Sequence, residues 1–140
     1  MDIKNIVDIL CRKYKTRNPY TLASELGIIV QYGEKMDKVR GFYLYDSGIK
    51  LICLGNNLPN CTERFVLSHE IGHAILHKQS SALFLQSTFL SVDKMEREAN
   101  KFAVELIITD EDLQEHWEYT IDEWAMYYGL PREIIELRFR

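Results

Sequence analysis

The chain has 140 residues, of which 46% are hydrophobic and 27% charged, with a net charge of −4 and a pI of about 5.6. Such a length and balance describe a soluble globular chain with one modest core, and residues 1–140 read as a single domain. The acidic balance speaks against a dedicated nucleic-acid binder, and no run approaches the ~18 continuous apolar residues of a membrane span.

Residues 2–15 place Ile3, Ile6, Val7, Leu10 and Tyr14 at helical spacing opposite a polar face. Their charges leave no uninterrupted apolar stretch for a signal peptide. Asn18-Pro19 predicts a helix start, Asn18 as cap and Pro19 in the first turn, and Gly27 ends that helix. Residues 28–32, 41–45 and 49–54 are rich in β-branched and aromatic residues and predict strands; Asp46-Ser47-Gly48 predicts a hairpin between the last two. Asn60 with Glu63 resembles a capping box, so a helix is expected to begin near Cys61. Residues 78–92 mix apolar pairs with Ser and Gln and read as an irregular connection. Residues 94–107 are helical again, with Asp93 expected as the cap. Three short helices follow at 110–116, 122–128 and 132–139, expected to pack on the rest, with Gly129-Leu130-Pro131 before the last. Cys11, Cys53 and Cys61 fit neither C-x-x-C nor a disulfide framework. This points to a reducing compartment, hence the cytoplasm.

His69-Glu70-Ile71-Gly72-His73 falls inside the helix that begins near Cys61. Residues four apart lie about 40° apart around a helix and one turn apart along it, so both imidazoles can reach one metal ion. The intervening Glu70 is placed to take a proton from a metal-bound water. H-E-x-x-H also arises by chance on surface helices. Here it lies on an amphipathic helix, and Gly72 costs about 1 kcal/mol in a helix interior unless something packs closely against it.

A catalytic zinc needs a third protein ligand and an open position. The extended H-E-x-x-H-x-x-G-x-x-H pattern is excluded, because the chain has Leu76 and Gln79 where Gly and His are required. His77 lies two turns from His69, about 12 Å along the axis, too far for one rigid helix to bring both to one ion. It reads instead as a supporting, capping or core-edge residue, and His116 as a solvated surface residue. Glu96 remains: it shares a face with Ala99, Asn100 and Ala103, whose small side chains allow close approach to the zinc helix. Asn100, one turn on, can hydrogen-bond a ligand histidine. Glu98 points about 200° away from Glu96, beside Phe102 and Glu105. An exposed Glu96 at a helix N-terminus is the plainer alternative.

The segments His69-Glu-Ile-Gly-His73-Ala-Ile-Leu-His77 and Glu96-Arg-Glu-Ala-Asn-Lys-Phe-Ala-Val-Glu-Leu106 together resemble the ImmA/IrrE family of metallopeptidases. The family pattern is H-E-x-G-H-x-x-L-H followed by E-x-x-A-[ND]-x-F-A-x-E-L. One departure is Ile107-Ile108-Thr109-Asp110, where the family often carries a proline. The resemblance implies an α+β, mostly helical, zincin-like fold. Two helices would hold Zn2+ beside a small, about three-stranded, antiparallel or mixed sheet. His69, His73 and Glu96 would be ligands and Glu70 the catalytic base. It also implies the short anti-repressor form of phages and integrative elements, which cleaves a helix-turn-helix repressor; the longer radiation-response form has no room in 140 residues.

Zinc-dependent peptide hydrolysis is thus expected, with Glu70 moving the proton from water to the leaving amine. The oxyanion partner is unassigned among eight tyrosines. An extended substrate is expected along an exposed strand edge, for which residues 49–54 are the candidate. Residues 121–137 have a helix-turn-helix look, but Asp122, Glu123, Glu133 and Glu136 would repel phosphate, and Trp124, Tyr128, Leu130, Ile134 and Leu137 recur at core spacing. No direct nucleic-acid or membrane contact is expected. The rival reading is a non-proteolytic module, stabilised by zinc, that binds and inactivates a repressor.

Overall fold

The computed structural model describes residues 1–34, 40–77 and 89–140. Helix α1 (Ile3–Tyr14) buries Ile3, Val7 and Cys11 at four-residue intervals. The Asp2 carboxylate caps it, accepting from the Asn5 N–H at 3.0 Å. Helix α2 (Pro19–Glu25) starts as expected: Asn18 Oδ1 accepts from the Tyr20 N–H at 2.9 Å, and Pro19 occupies the first turn.

Strands β1 (Ile28–Gly33), β2 (Gly41–Asp46) and β3 (Ile49–Gly55) form one sheet in the order β1-β3-β2. β1 runs parallel to β3, with Val30 opposite Ile52; β2 runs antiparallel, with Tyr43 opposite Ile52. Ser47 and Gly48, at φ 50° and 82°, form the two-residue turn that a tight hairpin demands. Residues 49–54 are therefore not an edge: β3 is central, and β1 and β2 are the edges. The burial pattern gives the reason. Ile52 and Leu54 of β3 are fully buried, whereas Ile29 and Tyr32 of β1 and Leu44 and Tyr45 of β2 stand exposed.

Helix α3 (Asn60–Leu76) lies on the sheet, and its Val66, Leu67 and Ile71 join Tyr43, Ile52 and Leu54 in the main core. The expected capping box at its start is absent. Pro59 is the cap residue and no side chain bonds there, because the Glu63 carboxylate is drawn instead to the hydroxyls of Tyr20 and Tyr32.

Helix α4 (Phe89–Ile107) begins earlier than expected, so Asp93 lies inside it rather than capping it. Of the irregular connection expected over 78–92, residues 89–92 are helical instead, and residues 78–88 lie outside the described residues.

The C-terminal elements are α5 (Asp110–Glu115), α6 (Ile121–Tyr128), α7 (Arg132–Glu136) and a 3₁₀ turn (Leu137–Phe139). Thr120 and Glu123 form a reciprocal capping box at α6. Trp124, Leu130 and Ile135 close a second core over Val104, Ile107 and Ile108 at the end of α4. His116 is not simply solvated: its ring stacks on Tyr119 at 4.7 Å and meets the edge of Trp124. The result is an α+β fold, mostly helical, with a three-stranded mixed sheet. Among the described residues no helix is long and apolar enough to cross a membrane.

Candidate metal centre

α3 and α4 touch at Gly72. A Cβ there would lie 3.1 Å from Phe102 Cβ and 3.2 Å from two of its ring atoms. Phe102 and Ala99 are wholly buried, so the glycine is where one helix backbone accepts the aromatic ring of the other.

This close crossing brings Glu96 across to the histidines of α3. Glu96 Oε1 is 2.8 Å from His73 Nε2, and Glu96 Oε2 is 2.9 Å from His69 Nε2. One ligand atom from each of the three residues lies within 4.8 Å of the others. Glu70 Oε2 stands 4.0 Å from His69 Nε2, on a side chain only 9% exposed. Glu96 is the open member, at 43%.

The donor set suits zinc: two imidazoles and one carboxylate on two rigid helices, with a fourth position left over.

Each histidine is oriented through its far nitrogen. His69 Nδ1 is 2.7 Å from Asn100 Oδ1, which can only accept, so that nitrogen carries a hydrogen and Nε2 is the one turned to Glu96. His73 Nδ1 is 3.0 Å from His77 Nδ1. His77 ends α3, its backbone N–H donating to the His73 carbonyl at 2.9 Å, and its ring is buried.

Glu98 does not point away from the site as helical angle alone suggested. Its Oε1 comes within 3.6 Å of His77 Nε2, an electrostatic contact longer than a direct hydrogen bond. The reason is the centre of the helix contact, which runs along Ala99, Phe102 and Leu106, all wholly buried, rather than along Glu96 and Asn100. Glu96 and Glu98 flank that stripe on opposite sides, and both reach α3.

The charges follow from these contacts. Burial opposes charge on Glu96, yet hydrogen bonds from His69 and His73 outweigh it and hold the carboxyl far below its usual range. Burial likewise opposes charge on His69, but Glu96, Glu70 and Asn100 together raise its pKa. Burial pushes the Glu70 carboxyl up against the attraction of both histidines, as befits a proton acceptor. His77 is lowered, first by burial and then by the neighbouring His73. The Glu98–His77 contact escaped the sequence reading, although the H-x-x-L-H spacing already placed His77 one turn from His73.

The family model described as the IrrE N-terminal-like domain matches residues 23–140. The chain belongs to this IrrE-like family. A similar protein is "Uncharacterized immunity region protein 2" of Bacillus phage phi105, 42% identical over 139 residues, which span 97% of this chain and 88% of that protein. "Metallopeptidase ImmA" of Bacillus subtilis (strain 168) is 27% identical over 143 residues, 97% of this chain and 83% of the relative. The IrrE-like match contains His69, Glu70, His73 and Glu96, the residues that converge between α3 and α4.

Proposed function

We propose that the protein is a zinc metalloendopeptidase, formed by residues 1–140 as one domain and acting in the cytoplasm on a helix-turn-helix repressor of a phage or integrative element. The observation that carries the reading is the convergence of His69, His73 and Glu96 with Glu70 beside them. The likeness to a peptidase of Bacillus subtilis and to a phage immunity-region protein supports the reaction and its setting.

His69, His73 and Glu96 would hold the metal. When bound, zinc supplies a polarised water and a Lewis acid for the scissile carbonyl. Glu70 takes the water's proton and delivers it to the leaving amine, a role served by its nearness and by the upward push of burial on its carboxyl. Asn100 holds the His69 ring so that Nε2 faces the centre. The partially exposed Glu96 marks the side from which a peptide can approach.

The test is co-expression with the repressor encoded nearest the gene, comparing wild type with Glu70→Gln. Cleavage by wild type and a loss of about 10²-fold or more in Glu70→Gln is the expected result. Repressor inactivated equally by both, without cleavage, would establish a zinc-stabilised binding module instead.

A further inference from the structure

We propose that Glu98 and His77 are a positioning pair that sets which nitrogen of His73 is free to bind metal. The inference rests on the metal-site reading above and extends it to two residues outside the ligand set.

The geometry is a line of groups: Glu98 Oε1, His77 Nε2 at 3.6 Å, then His77 Nδ1, His73 Nδ1 at 3.0 Å, and finally His73 Nε2 facing the centre. Between two neutral rings meeting Nδ1 to Nδ1, one nitrogen carries the hydrogen and the other accepts it. Two arrangements are therefore available. In the first, His77 carries its hydrogen on Nε2, towards the Glu98 carboxylate; its Nδ1 accepts from His73 Nδ1–H, and His73 Nε2 is bare. In the second every hydrogen moves to the other nitrogen: His77 Nε2 turns a lone pair towards a carboxylate oxygen, and His73 Nε2 is blocked. A carboxylate accepts and does not donate, so Glu98 favours the first arrangement; Glu96 Oε1, 2.8 Å from His73 Nε2, favours the second while that nitrogen holds no metal, and Glu98 is the group that opposes it.

The parallel with the other ligand is direct. Asn100 Oδ1 accepts from His69 Nδ1 in one step, and His77 does the same for His73 with Glu98 behind it. Capping α3 does not account for the ring of His77, because the capping bond comes from its backbone N–H. A leucine would fill a buried helix end at less cost than an imidazole beside a carboxylate, and the two side chains are only 5% and 15% exposed.

Zinc affinity, read by chelator competition, tests this without any substrate. Glu98→Gln keeps the volume but presents an amide that can accept or donate, so the bias is lost. Zinc binding is expected to weaken by about 10- to 100-fold while the thermal midpoint of the metal-free protein stays put. His77→Gln offers an amide oxygen to His73 Nδ1 and should bind zinc better than His77→Phe, which offers none. In the His77→Gln background Glu98→Gln should have little further effect. Zinc affinity in Glu98→Gln equal to wild type, or an equal loss in both backgrounds, overturns the proposal. Wild type that binds no zinc overturns the metal-site reading itself.

Discussion

Gly72 shows how much one missing methyl group does in this chain. Alanine there would gain about 1 kcal/mol of helix propensity, against a contact with Phe102 that is already tight. Valine adds two more carbons against a wholly buried ring, so Gly72→Val is expected to lower unfolding stability by roughly 1–3 kcal/mol. Because Glu96 is carried by the helix that would be pushed away, zinc affinity should fall in the same variant. Urea unfolding with and without zinc measures both effects; full stability and full affinity would show that the helices need no close approach. The same residue was informative in the sequence, where a glycine inside an amphipathic helix signalled a neighbour. What the sequence could not show was the neighbour, since Phe102 is thirty positions away.

At the scale of elements, the β2–β3 hairpin depends on two consecutive residues at positive φ. Ser47 is the weaker of them, since asparagine tolerates φ near 50° better than serine. Ser47→Asn is expected to stabilise by a few tenths of a kcal/mol and Gly48→Ala to destabilise by about 1 kcal/mol or more, as read from thermal melts. Opposite signs at adjacent positions would identify the turn itself as the source. The hairpin was legible because its signal is local. The place of β1 was not: residues 28–33 carry the composition of a strand but nothing that says on which side of the hairpin they add. Helix starts divide the same way. Thr120 and Glu123 form their box, while the equally plausible Asn60 and Glu63 do not, because two tyrosines from α2 and β1 compete for the Glu63 carboxylate.

At the scale of the whole molecule, the C-terminal segment is tied down by charge as well as by its apolar core. Arg138, 8% exposed, lies 3.0 Å from Glu105 Oε1 and 2.6 Å from Asp110 Oδ1, and its Nε donates to the Ile108 carbonyl at 3.0 Å. The Glu105 contact is one of charge, since neither of its oxygens gains an aligned hydrogen bond. Arg138→Met would leave the buried Glu105 carboxylate with the more distant Lys101, at 3.9 Å, and a loss of about 3–5 kcal/mol is expected. Adding Glu105→Leu should recover much of it; a double variant as unstable as the single would locate the loss elsewhere. Asp110 also reaches Lys4 at 3.2 Å, tying α1 to the C-terminal segment. Hydrogen bonds from Arg138 hold its pKa below the ordinary 3.8, with those from Lys4 adding to the effect. The unfolded chain therefore binds this proton first as acid is added. The contribution is complete well above pH 3.8 and is lost as pH falls through the lower folded value. Asp110→Asn should flatten the acid limb of a plot of melting temperature against pH and leave its alkaline limb unchanged.

Most of the elements and the pairing of His69 with His73 were determined by the sequence alone, because helical period, turn chemistry and the four-residue spacing of the two histidines are local properties of the chain. Glu96 was reachable too, by elimination along a second helix. The tertiary structure decided which strand is central, which side chains claim Glu63, and that Glu98 turns towards His77. Each of these is a contest between partners far apart in sequence, settled by burial and by the exact line along which α3 and α4 meet, and no local pattern encodes the winner.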